Sequence, residues 1–428
     1  MAKKVRERIS IKNFGPIREL DLQLKPFIVL VGESGSGKSV FMKLLATCRW
    51  IHKKIAFASI VAHIQPSNKS KSASTFYTKL YQQQIKEINI NTLIKNGGLN
   101  DFMDKDGRTE IVYRVDDFEI KIHNKNEKKL TLDMPKVFHM EPEEIVLKKL
   151  SFISDDRFTI PMMMQGAHFG FIPFHLERTY RDFVDVLRNA EGKNLRTNTL
   201  GLHITQEKRN GLVNFFIEKD GAKVPIHNAS AGHKSVAIIE LISDYYALKY
   251  DLSSSVNRFF VSHFANIKDL NYVLDIALDI KRKVENGLPE YKKEVDLFIE
   301  EPEISLFPQA QYDLISYLTS LFLSQNKENH LQYVFSTHSP YILSALNCFL
   351  KANILAKEKP ILAKEIANIV PKNNWLHTDS LSVFLIENGN AKSIRDMETG
   401  LIAADKIDGV SECIGNIFDQ LIDLEYRN

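Results

Sequence analysis

Residues 29–39, Val-Leu-Val-Gly-Glu-Ser-Gly-Ser-Gly-Lys-Ser, constrain this chain more than any other stretch. An apolar run leads up to Gly32, a Gly/Ser turn follows, and residues 40–45 have helical character. The spacing from Gly32 to Gly37, Lys38 and Ser39 is that of a phosphate loop set between a strand and a helix. Gly32, Gly35 and Gly37 let the backbone curl tightly. The N–H groups along Ser34, Gly35, Ser36, Gly37, Lys38, Ser39 and Val40 can then converge on one anion. The following helix adds the partial positive charge of its N-terminus. Lys38 is expected to reach the β- and γ-phosphates of a nucleotide, and the Ser39 hydroxyl to bind magnesium. A plain Gly/Ser linker would have neither the buried strand before it nor the helix after it.

The rest of the 428-residue chain is long enough for a large core and more than one lobe. A formal net charge of +3 is near balance and argues against a strongly basic nucleic-acid protein, leaving local patches open. Cys48, Cys348 and Cys413 lie far apart without metal-ligand spacing, so reduced thiols are expected. No apolar run is long enough for a membrane span and the N-terminus lacks a signal-peptide core, which leads us to expect a cytoplasmic protein.

Before the phosphate loop, residues 8–32 alternate as two strands around Gly15-Pro16 and then run into a buried strand at 27–31. Residues 65–74 are polar, with two lysines, and read as an exposed loop or a nucleic-acid contact. Residues 76–89 read as helix. Residues 110–133 read as a hairpin with its tip at 124–126, and 150–153 as a short strand. Asn210-Gly211 between two alternating runs is a hairpin turn. Helical spacing returns at 179–189, 236–248, 309–323, 341–350 and near 410–424, and within 253–293, a segment set apart as a candidate partner surface.

A second cluster of chemistry follows the apolar run 295–299, which is interrupted only by Asp296. There Glu300-Glu301-Pro302-Glu303 places carboxylates where a phosphate-loop protein needs them. Glu300 suits magnesium, directly or through water, and Glu301 suits orienting or deprotonating an attacking water. His338 ends another apolar run, in Ser-Thr-His-Ser-Pro, placed to hydrogen-bond a γ-phosphate or that water.

Taken in order, the phosphate loop, Ser230-Ala231-Gly232-His233-Lys234, Glu300-Glu301-Pro302-Glu303 and Thr337-His338-Ser339-Pro340 resemble an ABC-type ATPase. With Ile11-Lys12-Asn13-Phe14-Gly15-Pro16-Ile17 ahead of them, the branch is the SMC/RecF-like and OLD-like ATPases. Within it the chain is similar to compact ATPases of bacterial antiphage systems. The resemblance implies an α/β fold with a mixed β-sheet core, an antiparallel β subdomain and a helical lobe. It implies a single ATPase over 1–428: a β-rich lobe with the phosphate loop (1–50 and 110–230), an insertion (50–110), a part carrying signature helix, helical insertion, carboxylates and histidine (230–345), and a C-terminal α/β segment (345–428).

The resemblance also implies ATP and Mg2+ as cofactors and hydrolysis of ATP, with Glu301 and His338 catalytic. Ser230 and Gly232 would form the signature loop that caps the γ-phosphate of ATP held by a second copy, head to tail. Ala231 and His233 depart from the usual Ser-Gly-Gly-Gln. The family's glutamine loop has two candidates here, Gln165 and Arg157. Neither an SMC-type coiled coil nor a Toprim nuclease domain is evident, so an effector such as a nuclease would be a separate partner. The alternative is a RecF-like DNA-binding repair ATPase.

Overall fold

The computed structural model describes residues 7–403 apart from 64–70, 105, 127–128, 135–139, 141–143, 167–171, 190–194, 210–211, 253, 255–290, 325–328 and 397, and beyond 403 only 417 and 419. Most of segment 253–293 and the expected helix near 410–424 thus lie outside the described residues, as does the turn at 210–211.

The chain opens with β1 (Glu7–Phe14) and β2 (Ile17–Leu24), antiparallel around the expected turn. Next come β3 (Phe27–Val31), buried at every residue, and α1 (Lys38–His63). Helices α2 (Lys71–Lys86) and α3 (Ile90–Asn96) lead to β4 (Glu110–Val115), β5 (Phe118–Asn126) and β6 (Lys129–Asp133). Two expectations change here. Residues 71–74, expected in a loop, belong to α2. Residues 110–133 form three strands, and the first turn is at Asp116-Asp117, with Asp116 at φ +49°. Aspartate tolerates that left-handed conformation, which 124–126 does not need because it pairs with β6.

After β7 (Val146–Ile153) come a 3-10 turn (Asp155–Thr159), α4 (Ile160–Met164) and α5 (Phe174–Asn189). Strands β8 (Leu195–Arg196), β9 (His203–Arg209), β10 (Leu212–Lys219) and β11 (Ala222–Pro225) form a separate antiparallel sheet. Arg209 pairs with Leu212, as an Asn-Gly hairpin requires. Then follow α6 (Ala231–Asp244), β12 (Lys292–Glu300), α7 (Pro308–Leu323), β13 (His330–Thr337) and α8 (Pro340–Glu358). The described part closes with α9 (Ala363–Ile369), β14 (Leu381–Glu387) and β15 (Asn390–Ser393).

The main sheet runs β6-β5-β4-β1-β2-β15-β14-β3-β13-β12-β7. Its centre, β14-β3-β13-β12-β7, is parallel throughout. Such a centre must be covered on both faces, which accounts for unbroken apolar runs such as 27–31. Helix α1 covers one face with Phe41, Leu44, Leu45, Cys48 and Ile51, all buried. Register then decides where the chemistry goes. Val31 pairs with Thr337, Ser336 with Glu300, and Ile299 with Ile153. The C-terminal ends of β3, β13, β12 and β7 therefore meet at one edge of the sheet, the edge where open α/β sheets bind ligands.

Asp296, which interrupts the apolar run of β12, has a partner on α1. Arg49, 1 % exposed, reaches Asp296 at 3.4 Å and forks onto Glu7 of β1 at 2.9 and 2.8 Å.

Candidate functional site

The phosphate loop leaves β3 with Gly32 at φ +148°, Gly35 at +79° and Gly37 at +112°. At Gly32 the requirement is also steric, because a Cβ there would stand 2.2 Å from the backbone carbonyl oxygen of Ile386 on β14. Gly37 packs on Pro16 and Ile17 of the β1–β2 turn. Lys38, 5 % exposed, turns its Nζ back along the loop and donates to the Gly32 and Glu33 carbonyls at 2.8 and 2.9 Å. Burial lowers its pKa, and Glu301 and Glu303 act in the opposite direction. The Ser36 hydroxyl is buried without a hydrogen-bond partner. A phosphate oxygen in the loop would supply that partner, so the cradle fits the group the sequence calls for.

Beside the loop, the Ser39 hydroxyl bonds the Glu300 carboxylate. Glu300 is 3 % exposed. Burial and the negative charge of Asp155 push its pKa up to about 7, against the opposing effects of Lys43 and the Ser39 bond. A divalent cation placed here would remove that cost. Ser39 and Glu300 are two oxygen donors, a usual protein share for Mg2+ completed by water and phosphate oxygens.

Glu301 occupies a left-handed conformation, φ +42°. Its N–H donates to the Ser336 carbonyl at 3.0 Å, and its Oε1 lies 3.2 Å from His338 Nε2. Both side chains are about one-third exposed, 31 % and 33 %, so water can reach them. Glu303 locks the same turn to β13. Its Oε1 accepts from the Thr337 hydroxyl at 2.8 Å and from the His338 N–H at 2.6 Å. The structure thus brings Lys38, Ser39, Glu300, Glu301 and His338 to one sheet edge.

Ser230 and Gly232 stand apart at the start of α6. Ser230 is exposed, and its Oγ accepts from the His233 N–H at 3.2 Å, an N-cap. Gly232 lies under the Ser305 carbonyl, where a Cβ would come within 2.6 Å. Gln165 is exposed at the end of α4. Arg157, the other glutamine-loop candidate, is 0 % exposed and bonded on all sides. It donates to Ser235 Oγ at 2.8 Å and to the carbonyls of Ser154, Glu300 and Glu301 at 3.1, 2.7 and 2.8 Å. Burial brings its pKa down to about 10, which leaves it charged at neutral pH.

Residues 276–343 match the family model of an AAA ATPase domain. That segment carries Glu300, Glu301 and His338, and by motif and site the chain is similar to ABC-type ATPases of the SMC and RecF branch. No curated protein matches. Among solved structures, the SMC head domain from Thermotoga maritima matches at 10 % identity and TM-score 0.35, over 91 % of this chain and 98 % of that one. An Smc head domain with an extended coiled coil, bound to the C-terminal domain of ScpA derived from Pyrococcus furiosus, matches at 8 % identity and TM-score 0.36, over 96 % and 99 %. The recombination mediator protein RecF matches at 11 % and 0.33, over 91 % and 98 %.

Glu303 was assigned no role from the sequence, and Arg157 was named only as a glutamine-loop candidate. Glu303 belonged to the acidic motif, but only the pairing of β12 with β13 shows it bridging two strand ends. Arg157 carries a charge in a short polar stretch after β7, and nothing local signals that it is buried. A cavity of about 330 Å3 lies elsewhere, lined by Trp50 of α1, Leu93 of α3, Phe152 of β7 and His175 of α5, and includes none of the site residues. Among the described residues no helix is long and apolar enough to cross a membrane.

Proposed function

We propose that this chain binds ATP with Mg2+ in the Gly32–Ser39 cradle and hydrolyses it, closing head to tail on a second copy. The observation that carries the reading is Glu301 beside His338 at 3.2 Å, on the same sheet edge as Lys38 and Ser39. Ser39 and Glu300 would hold the metal, which would supply neutralisation of the phosphate charge. Lys38 exchanges its loop carbonyls for phosphate oxygens. Glu301 takes or orients the proton of the attacking water, and His338 holds the water or the γ-phosphate. Ser230, exposed at the N-cap of α6, and the buried Gly232 just behind it contribute to the site of the second copy. Binding then favours the closed pair and hydrolysis the open one, because only the closed state makes contacts from both copies.

The output in this reading is control of a separate effector, such as a nuclease, in bacterial antiphage defence within the cytoplasm. Its support is the resemblance of the motifs. The reading is tested by phosphate release from the purified protein and its Glu301→Gln variant. Hydrolysis should fall by about 100-fold or more in the variant while ATP affinity is kept, since the amide binds as well but takes no proton. A wild-type protein without ATPase activity, or a variant that hydrolyses normally, refutes it. Co-purification with the neighbouring gene product tests the effector, and DNA binding at two salt concentrations tests the RecF-like alternative.

A further inference from the structure

Arg157 sits where three segments of the chain meet. It follows β7, its Nε reaches Ser235 on α6, and its two Nη groups reach the carbonyls of Glu300 and Glu301. We propose that Arg157 is a positioning residue that carries the state of α6 to the turn holding Glu301. The inference rests on the ATPase reading above and gives that site its regulation.

A non-glycine residue at positive φ is strained and persists only when its surroundings hold it. Glu301 is such a residue. Its N–H is fixed by Ser336, and the carbonyls on either side of its φ, ψ pair are fixed by Arg157. The guanidinium therefore holds the backbone from which the Glu301 carboxylate extends.

A guanidinium is a planar fork with fixed donor directions, so it transmits displacement between its acceptors rather than absorbing it. Besides the carbonyl of Ser154, three residues before it, its other partner is Ser235, five residues beyond Ser230 on one continuous helix. A shift of α6 when Ser230 meets a γ-phosphate of the second copy moves Ser235 with it, and Arg157 passes the shift to Glu301. Gly232 supports the same path, because the Ser305 carbonyl rests directly on it and no side chain cushions the contact.

Ser235→Ala cuts the link to α6 and leaves the carbonyl bonds of Arg157 in place. Arg157→Lys keeps the charge and loses the fork. For both variants, affinity for a fluorescent ATP analogue, kcat, and thermal unfolding would be measured. Amide hydrogen exchange over 231–244 and 298–306, with and without ATP and Mg2+, is the fourth measurement. In Ser235→Ala, ATP affinity should stay within about threefold and kcat should fall about tenfold or more. In the wild-type protein ATP should alter exchange in both segments; in Ser235→Ala it should alter only 231–244. Arg157→Lys should lose more kcat than Ser235→Ala at retained affinity.

Wild-type kcat in Ser235→Ala, or exchange in 298–306 that still responds to ATP there, overturns the proposal. So does a wild-type protein in which 298–306 does not respond, or an Arg157→Lys variant whose kcat falls only in step with ATP affinity or unfolding temperature. Lack of hydrolysis by the wild type counts against the ATPase reading instead, and the exchange comparison still decides the coupling.

Discussion

Replacing Arg49 by methionine removes the charge that anchors the phosphate-loop helix. Arg49 lies on α1, 1 % exposed, forked onto Glu7 of β1 and 3.4 Å from Asp296 of β12. Burial alone would raise the pKa of Glu7, but the charge and hydrogen bonds of Arg49, with help from Lys148 and Tyr113, bring it from 4.5 down to about 2. By linkage that drop corresponds to about 3 kcal/mol of stability at neutral pH. Asp296 fares worse without Arg49, because neither of its oxygens has a hydrogen bond and Lys148 at 3.8 Å would be its remaining counter-charge. Stripping one partner from a buried ion pair costs about 3–5 kcal/mol, in agreement with the linkage figure. Methionine keeps an aliphatic stem in place, so lost packing adds little.

Urea unfolding at pH 7 should show Arg49→Met less stable by about 3–5 kcal/mol. The pH dependence has a definite sign. The folded pKa of Glu7 is depressed, so its contribution is complete above about 4.5 and disappears as pH falls toward 2. The stability gap between wild type and variant should therefore narrow across that window. A gap below about 1 kcal/mol at pH 7, the range of exposed ion pairs, refutes the reasoning. So does a gap that stays constant from pH 5 to pH 2.

Gly32→Ala should weaken ATP binding by about 100-fold or more in an analogue titration, since the new Cβ meets the Ile386 carbonyl at 2.2 Å in a backbone conformation closed to alanine. Gly232→Ala sets two effects against each other: about 1 kcal/mol gained in helix propensity, and about 1–3 kcal/mol lost to overpacking against Ser305. The clash, at 2.6 Å to a backbone atom, should win. Thermal unfolding should move down slightly, and phosphate release should fall far more than ATP affinity.

The site was legible in the sequence wherever its chemistry is local. Gly32–Ser39 needs only a strand, a tight turn and a helix in succession. Glu300 and His338 announce themselves as polar groups closing apolar runs, because a strand end is where a buried segment reaches solvent. Element bounds were less legible. Strand β13 extends over His330–Thr337 and α8 over Pro340–Glu358, beyond their apolar cores, since paired neighbours and packed faces stabilise residues whose own pattern is weak.

What the sequence by itself determined is a phosphate cradle, a carboxylate pair and a histidine, each fixed by backbone and side-chain chemistry within about ten residues. Their meeting was decided by tertiary structure. Parallel pairing of β3, β13 and β12 aligns their ends, and β14, from the far end of the described chain, sets a carbonyl against Gly32 so that only glycine fits. The partners of Asp296 and Arg157 belong to the same class. A buried charge is tolerable only when other segments bring counter-charges or acceptors to it, and those segments are distant in sequence.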